Sequence, residues 1–455
     1  MPEHIFREYD IRGIVDEDLT DEGMKAIGSA VATTLTRDGI TRAVVGRDIR
    51  LSSGRFFEAV AAGLNGGGVD VVDIGEVPTP VFYFAAKRWN IKGGVMITAS
   101  HNPSEFNGLK VLHGEGTIYG AEIRKLREIA IASAGVRGSG TVERRDANGE
   151  YIEHICGDIK LARHVRFAAD GGNGTAGLVV PDLVKRLECD PVYLYMEPDG
   201  NYPNHHPDPT VETNLADLKK TVIEQGLELG VGFDGDTDRL GVIDDRGGIL
   251  WGDRLLALFA RSVLAENPGA TVIFEVKCSE GLEEDILRHG GQPVMWKTGH
   301  SLIKKKMRDE GALLAGEMSG HLFFADRYYG YDDAIYAACR LLEIVSLNER
   351  PLSELLTDMT PYVSTPEIRI DCDDTVKFDI VEKVAEHFKK RYEVIDIDGA
   401  RVKFGDGWGL IRASNTQPVL VLRFEARTDK ALLAIKQEMA DVLSRYTDVS
   451  SMLQG

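Results

Sequence analysis

Three carboxylates crowd one short turn of this sequence: Asp234-Gly235-Asp236-Thr237-Asp238-Arg239 lies between the apolar runs Leu229 to Phe233 and Leu240 to Ile243. Acids forced together between buried strands are costly without a cation. The turn fails as a calcium loop, because Arg239 stands where a glycine is needed and Asp245 where a bidentate glutamate is expected. Magnesium fits better, since it takes few protein carboxylates and completes its shell with water and phosphate oxygen. A phosphoserine could supply that oxygen, and Arg239 would remain free to touch the transferring phosphate. The candidate serine is in Gly94-Val95-Met96-Ile97-Thr98-Ala99-Ser100-His101-Asn102-Pro103, where an apolar run delivers Ser100 and His101 onto a turn. Asn102 is a good cap and Pro103 a good first helical residue, so a helix is predicted there, with its amides turned toward Ser100. Lys110 returns on the next strand, placed to neutralise a phosphoserine or shift a hydroxyl proton. A serine in such a turn can also be only a local hydrogen-bonding group.

Other segments carry weaker signals. In Gly316-Glu317-Met318-Ser319-Gly320-His321, flanking glycines let backbone approach a ligand, and Glu317 could accept hydrogen bonds from two neighbouring sugar hydroxyls. Arg412-Ala413-Ser414-Asn415-Thr416-Gln417-Pro418 puts a guanidinium, hydroxyls and amides on one loop, a plausible phosphate cradle. Lys277 and His300 fall at strand-to-helix junctions, and Arg7 and Arg12 flank a short strand-like stretch where either could reach a phosphate. His205 and His206 have no third ligand at a metal spacing. The strongest rival is Asp170-Gly171-Gly172-Asn173-Gly174-Thr175-Ala176-Gly177, a Gly-x-Gly-x-x-Gly match between strand and helix, with Glu197 ending the next strand, as in a dinucleotide-binding unit. Glycine-rich turns are nonetheless common in doubly wound sheets.

The elements that must hold these groups alternate. Strands are predicted at 43–46, 69–74 and 94–98 with helices at 54–65 and 79–88, and the pattern resumes after the small, polar run 135–141 with a helix at 151–162. It repeats through strands 165–169 and 192–196, then 271–276 and 293–297, with helices at 253–266, 281–289 and 300–310. Beyond Pro361, strands bracketed by helices at about 374–391 and 429–445 suggest a smaller unit. The expectation is an α/β protein: three similar α/β domains with mixed sheets (1–150, 151–250, 251–364), then an α+β domain (365–455), with the site in the central cleft.

The 455 residues, 43% hydrophobic, provide ample core for several domains. No export signal or long apolar span is read, and five scattered cysteines without Cys-x-x-Cys spacing argue against a disulfide framework or zinc site, so a cytoplasmic setting is expected. A net charge of −19 with no basic stripe disfavours nucleic acid and anionic membrane.

Taken together, Thr98 to Pro103, Asp234 to Arg239, Gly316 to His321 and Arg412 to Thr416 resemble, in order, the four signature loops of the α-D-phosphohexomutase family, over essentially the whole chain. The likeness is greatest to the bacterial phosphomannomutase/phosphoglucomutase branch, from Gly-Glu-Met-Ser-Gly-His and the stretch Asn201 to Pro209; phosphoglucosamine mutases usually have glutamine where Met318 stands. The resemblance implies that Ser100 is the phosphorylated serine and contributes to the metal site with Asp234, Asp236 and Asp238. It implies that Glu317 and Ser319 contact sugar, and that Arg412, Ser414, Asn415 and Thr416 hold the non-reacting phosphate. Lys110, His101 and Arg239 would surround the transfer, His300, Lys277 and His321 would be substrate or acid/base groups, and Tyr9 and Arg12 would border the site. Mg2+, glucose 1,6-bisphosphate as activator and a phosphorylated hexose substrate follow, for a monomer or homodimer. Rival readings are an NAD-type oxidoreductase built on Gly172, Gly174 and Gly177 and a non-catalytic sugar-phosphate sensor.

Overall fold

A computed structural model describes residues 1–132, 135–415 and 417–453. The expected class is found: three α/β units with mixed sheets, then a fourth built on an antiparallel sheet. In the first sheet the parallel strands Arg42–Arg47, Asp70–Glu76 and Gly93–Ile97 are joined by the antiparallel strands Phe106–His113 and Ile11–Ile14. Gly93–Ile97 is buried throughout, as its uninterrupted apolar run requires of a central strand. The second sheet sets Phe167–Asp170 parallel to Leu229–Phe233, which turns back antiparallel into Leu240–Asp244. The third sets Thr271–Glu275 parallel to Leu314–Gly316, which turns back into Leu322–Phe324. In the fourth, Gly407–Ala413 turns back into Val419–Ala426.

All four sequence-selected loops therefore connect antiparallel neighbours in a sheet, each following a buried strand. This corrects the helix expected at Pro103: residues 98–105 are a turn and the chain re-enters the sheet at Phe106. The physical reason is Arg50, described below, which takes up the carbonyls that a helix would direct along its axis. Strand Val192–Leu194 is shorter than the expected 192–196 because Tyr195 turns left-handed, with φ 49°. The helix expected at 151–162 spans Asn148–Asp158.

One apolar core runs from Val44 and Phe82 in the first unit through Phe167 and Phe233 to Phe259 and Phe324 in the third. The fourth unit keeps its own core, including Val384, Phe388, Leu422 and Phe424. It meets the third through the small group Val276, Trp408 and Leu410, and through Arg401, which stacks on Trp408 at 3.7 Å and donates to the carbonyls of Val276 and Cys278 at 2.7 Å each. Among the described residues, no helix is long and apolar enough to cross a membrane.

Candidate active site

Ser100 sits on its turn with φ 52°, left-handed for a residue with a side chain, while its N–H donates to Thr98 Oγ1 at 2.9 Å. Holding such a conformation costs of order 1–3 kcal/mol and needs surroundings that over-determine it. Arg50 supplies them. Its guanidinium, wholly buried and paired with Asp48 (Nε to Oδ2 3.1 Å), donates to the carbonyls of Ser100 (2.8 Å), Asn102 (2.6 Å), Pro103 (2.6 Å) and Phe106 (2.9 Å). These bonds gather the carbonyls of the turn around one cation. Gly235 is required by a second close approach, since a Cβ there would stand 2.5 Å from the Ser100 carbonyl oxygen.

That approach brings the serine to the carboxylates. Ser100 Oγ donates to Asp234 Oδ2 at 2.9 Å and lies 3.1 Å from His101 Nδ1. Asp234 Oδ1 accepts the N–H groups of Asp238 (3.0 Å) and Arg239 (3.1 Å), closing the turn on itself. Lys110, opposite Met96 on the neighbouring strand, donates to Asp236 Oδ2 at 2.9 Å and Asp238 Oδ2 at 2.5 Å. Thr79, first residue of helix Thr79–Arg88, donates its hydroxyl to Asp236 Oδ2 at 2.7 Å and its N–H to the Asp236 carbonyl at 2.9 Å. The three carboxylates are fully buried and offer oxygens within 4.8 Å of one another. Asp236 Oδ1 and Asp238 Oδ1 are buried with no hydrogen-bond partner. Orphaned acceptors beside a third carboxylate are what a hard divalent cation would satisfy, so the residues fit magnesium.

The electrostatics agree. Burial, then the charges of Asp238 and Asp236, push the Asp234 carboxyl well above its usual range. Burial works against the Lys110 ammonium, but Asp236 and Asp238 outweigh it and hold Lys110 charged well beyond its ordinary range. Burial, with Arg239 and Arg12 beside it, keeps His101 neutral. A neutral imidazole next to a hydroxyl can accept its proton.

The remaining candidates extend from this centre. Arg239 Nε donates to His321 Nε2 at 3.0 Å, and His321 Nδ1 lies 3.5 Å from Asp238 Oδ1 and 3.2 Å from Asp332 Oδ2. His300 stacks on His321 (5.7 Å, 30°) and meets the edge of Tyr9 at 6.2 Å; burial and Lys304 keep it neutral. Glu317 accepts the Gly299 N–H at 2.5 Å and the Ser319 hydroxyl at 3.1 Å. Arg12 donates to Asn102 Oδ1 at 2.6 Å. Tyr9 reaches the fourth unit, donating its hydroxyl to the Thr298 carbonyl at 2.8 Å and accepting from Asn415 Nδ2 at 3.0 Å. Arg412 is held by Asp398 at 3.1 Å, and Lys277 by Glu367 at 3.1 Å. The Ser414 carbonyl accepts from Lys377 at 2.5 Å, fixing that loop. Thr416 lies outside the described residues.

Arg50, Thr79, Asp398 and Glu275, whose carboxylate accepts the Met318 N–H at 3.2 Å, escape the sequence reading. No sequence signal marks them: that Asp48 and Arg50 are buried, which charged residues tolerate only when paired, is visible only in the folded chain. The dinucleotide reading of Gly172, Gly174 and Gly177 is corrected. Thr175 donates its N–H to the Gly235 carbonyl at 3.0 Å, and a Cβ on Gly174 would stand 2.8 Å from that same oxygen. The glycine turn is filled by the backbone of the carboxylate loop and leaves no place for a pyrophosphate. Glu197 contributes its carbonyl to Asn173 Nδ2 at 2.8 Å. His205 pairs with Asp170 at 3.0 Å and is not part of the cluster of Asp234, Asp236 and Asp238.

A serine hydroxyl on a carboxylate cluster, ringed by cations and lodged between units of repeated architecture, defines a protein built for phosphoryl transfer. Profiles of phosphoglucomutase/phosphomannomutase match the chain in series: alpha/beta/alpha domain I over residues 3–134, domain II over 149–248, domain III over 251–362 and the C-terminal domain over 367–442. The chain is 46% identical over 446 residues to phosphomannomutase/phosphoglucomutase of Pseudomonas putida, covering 98% of this chain and 96% of that protein. It is 46% identical over 444 residues to phosphoglucomutase of Neisseria gonorrhoeae, covering 96% of each. The crystal structure of a phosphoglucomutase/phosphomannomutase family protein from Burkholderia thailandensis superposes with a TM-score of 0.93 at 42% identity, covering 98% of this chain and 99% of that one. The chain belongs to the phosphoglucomutase/phosphomannomutase family, the α-D-phosphohexomutases.

Proposed function

We propose that Ser100, as a phosphoserine, gives its phosphoryl group to a hexose monophosphate and recovers the other one, interconverting hexose 1-phosphate and hexose 6-phosphate of mannose and/or glucose. Membership of the family makes the protein a mutase, an intramolecular phosphotransferase. The observation that carries the role of Ser100 is its hydroxyl at 2.9 Å from Asp234, beside two unpartnered carboxylate oxygens.

In the forward step a sugar hydroxyl oxygen attacks phosphorus, the bond from phosphorus to Ser100 Oγ breaks, and the sugar proton passes to a base. The product is a bisphosphorylated sugar, which turns over so that its original phosphate returns to Ser100 by the reverse step. His101, neutral and 3.1 Å from Oγ, is placed to exchange the serine proton. His321 and His300 are the acid/base candidates on the sugar side, and Lys110, fixed as a cation, and Arg239 stabilise charge on the transferring group. Glu317 and Ser319 receive sugar hydroxyls and Arg412, Ser414, Asn415 and Thr416 grip the idle phosphate, while Tyr9 and Arg12 border the site and Lys277 is a further substrate or acid/base group. Mg2+ held by Asp234, Asp236, Asp238 and a phosphoserine oxygen would neutralise the transferring phosphate. Glucose 1,6-bisphosphate is the activator that restores the phosphoserine after loss of the intermediate.

The four units are bounded near residues 150, 250 and 364. Reorientation of the bisphosphate calls for a hinge at the link before the fourth unit, which meets the third through Val276, Trp408 and Leu410 and through the buried guanidinium groups of Arg401 and Arg423. The setting proposed is the cytoplasm, as a monomer or homodimer without nucleic-acid or membrane partners; unpaired cysteines and the acidic charge support it.

The test is incubation with magnesium, a trace of glucose 1,6-bisphosphate and, separately, the 1-phosphates of glucose, mannose and glucosamine, following 6-phosphate by phosphorus NMR. Conversion of glucose and mannose substrates is expected. Conversion of glucosamine alone would move the assignment to phosphoglucosamine mutase, and no conversion would refute the reading.

A further inference from the structure

A separate cavity of about 300 Å³ lies between the first and third units, at the lower end of the range for small-molecule sites. It is built from the end of helix Thr79–Arg88, the turn around Gly114 and the last turns of helix His300–Glu310. Its wall is apolar: Ile91, Leu112, Met307, Tyr329 and Tyr331. At the buried end stands Tyr83, 4% exposed, whose ring closes the cavity while its hydroxyl is fully covered among the charges of Lys304, Asp332 and Lys110. Beside it the Lys304 ammonium, paired with Asp332 at 2.9 Å, lies 4.1 Å from the Tyr83 ring centroid.

The mouth is cationic in a protein whose net charge is −19. Exposed Arg308 makes no hydrogen bond or salt bridge among the described residues. Lys87 and Lys92 share a single carboxylate, Glu115, at 2.8 and 3.2 Å, which leaves the rim positive. An apolar interior and a cationic rim together specify a ligand with an apolar body and an anionic head.

We propose that this cavity is a binding site for a small amphipathic organic anion, with one or two rings against Leu112 and Met307 and its carboxylate or sulfonate at Arg308. The site is distinct from the sugar-phosphate cleft and does not rest on the reaction proposed there.

The probe is 8-anilinonaphthalene-1-sulfonate, titrated into the full-length protein by fluorescence and calorimetry. Two substitutions separate this cavity from other surfaces. Gly116→Phe directs a ring at the mouth, where a Cβ meets only the flexible end of Arg308, at 2.8 Å from Nη2. Arg308→Gln removes the cation from an exposed helix position. Unchanged circular dichroism and melting would establish that both variants fold. One probe per chain should bind the wild type, about tenfold more weakly to Arg308→Gln, and not to Gly116→Phe. No binding to the wild type, equal binding by Gly116→Phe, or unchanged affinity in Arg308→Gln would each overturn the proposal.

Discussion

Arg50→Met keeps most of the side chain's apolar length and removes the one cation that gathers the serine turn. Five hydrogen bonds disappear: one to Asp48 and four to the carbonyls of Ser100, Asn102, Pro103 and Phe106. Asp48 keeps the Arg50 N–H at 3.0 Å and the Ser53 hydroxyl at 2.5 Å, but its fully buried carboxylate loses its counter-charge. Stripping one partner from a buried pair costs roughly 3–5 kcal/mol. If the unit carrying the turn unfolds cooperatively, that is a fall in its melting temperature of roughly 6–20 °C. The turn would also relax from the left-handed geometry at Ser100, and a misplacement of about 1 Å at a reacting atom can cost on the order of 100-fold in kcat. Arg50→Lys separates the two effects, because a lysine can still pair with Asp48 but has three donors and no planar fork for four carbonyls. The expected result is most of the stability recovered and little of the turnover, measured by calorimetry and by mutase assay on the same samples. Wild-type kcat in Arg50→Met, or parallel recovery of both properties in Arg50→Lys, would refute the reasoning.

Other outcomes follow from the same geometry. Gly174→Asp should leave the protein without nicotinamide binding, as the wild type is, and weaken magnesium binding, because its Cβ presses on the Gly235 backbone; cofactor and metal titrations read both. Asp236→Asn should weaken magnesium binding at least about tenfold, and EDTA should abolish wild-type turnover reversibly, as followed by calorimetry and the mutase assay. Glu367 is held down to about 2 from 4.5, chiefly by Lys277, so its stabilising contribution is complete above its ordinary value and is lost as pH falls through about 2. The difference corresponds to at most about 3 kcal/mol. Glu367→Gln should therefore destabilise at pH 7 and by progressively less toward pH 2; a gap in denaturant midpoint that does not change with pH would contradict the assignment.

Much of the fold could be read from period and punctuation. The run Leu229 to Phe233 is apolar without interruption and forms a buried strand over those residues. The helix at His300–Glu310 starts after Gly299 and stops at Gly311, which is left-handed with φ 62°. Asn102-Pro103 misled, because local capping chemistry favours a helix while a residue fifty positions away binds the turn's carbonyls. The glycines at 172–177 carried a true signal of close backbone approach, but the sequence does not say whether backbone or ligand approaches. Here the approaching group is Gly235 of the carboxylate loop. The loops around the site announced themselves by clustering acids, hydroxyls and glycines. Their supports did not, since Thr79, Asp398 and Glu275 are single residues joined to the site only by folding.

The central claim is that Ser100 carries the phosphoryl group, and labelling tests it directly. Protein incubated with glucose 1,6-bisphosphate bearing 32P should acquire label on the peptide containing Ser100, and unlabelled hexose 1-phosphate should remove that label within a turnover time. Label on another residue, or normal turnover by Ser100→Ala, would contradict the account.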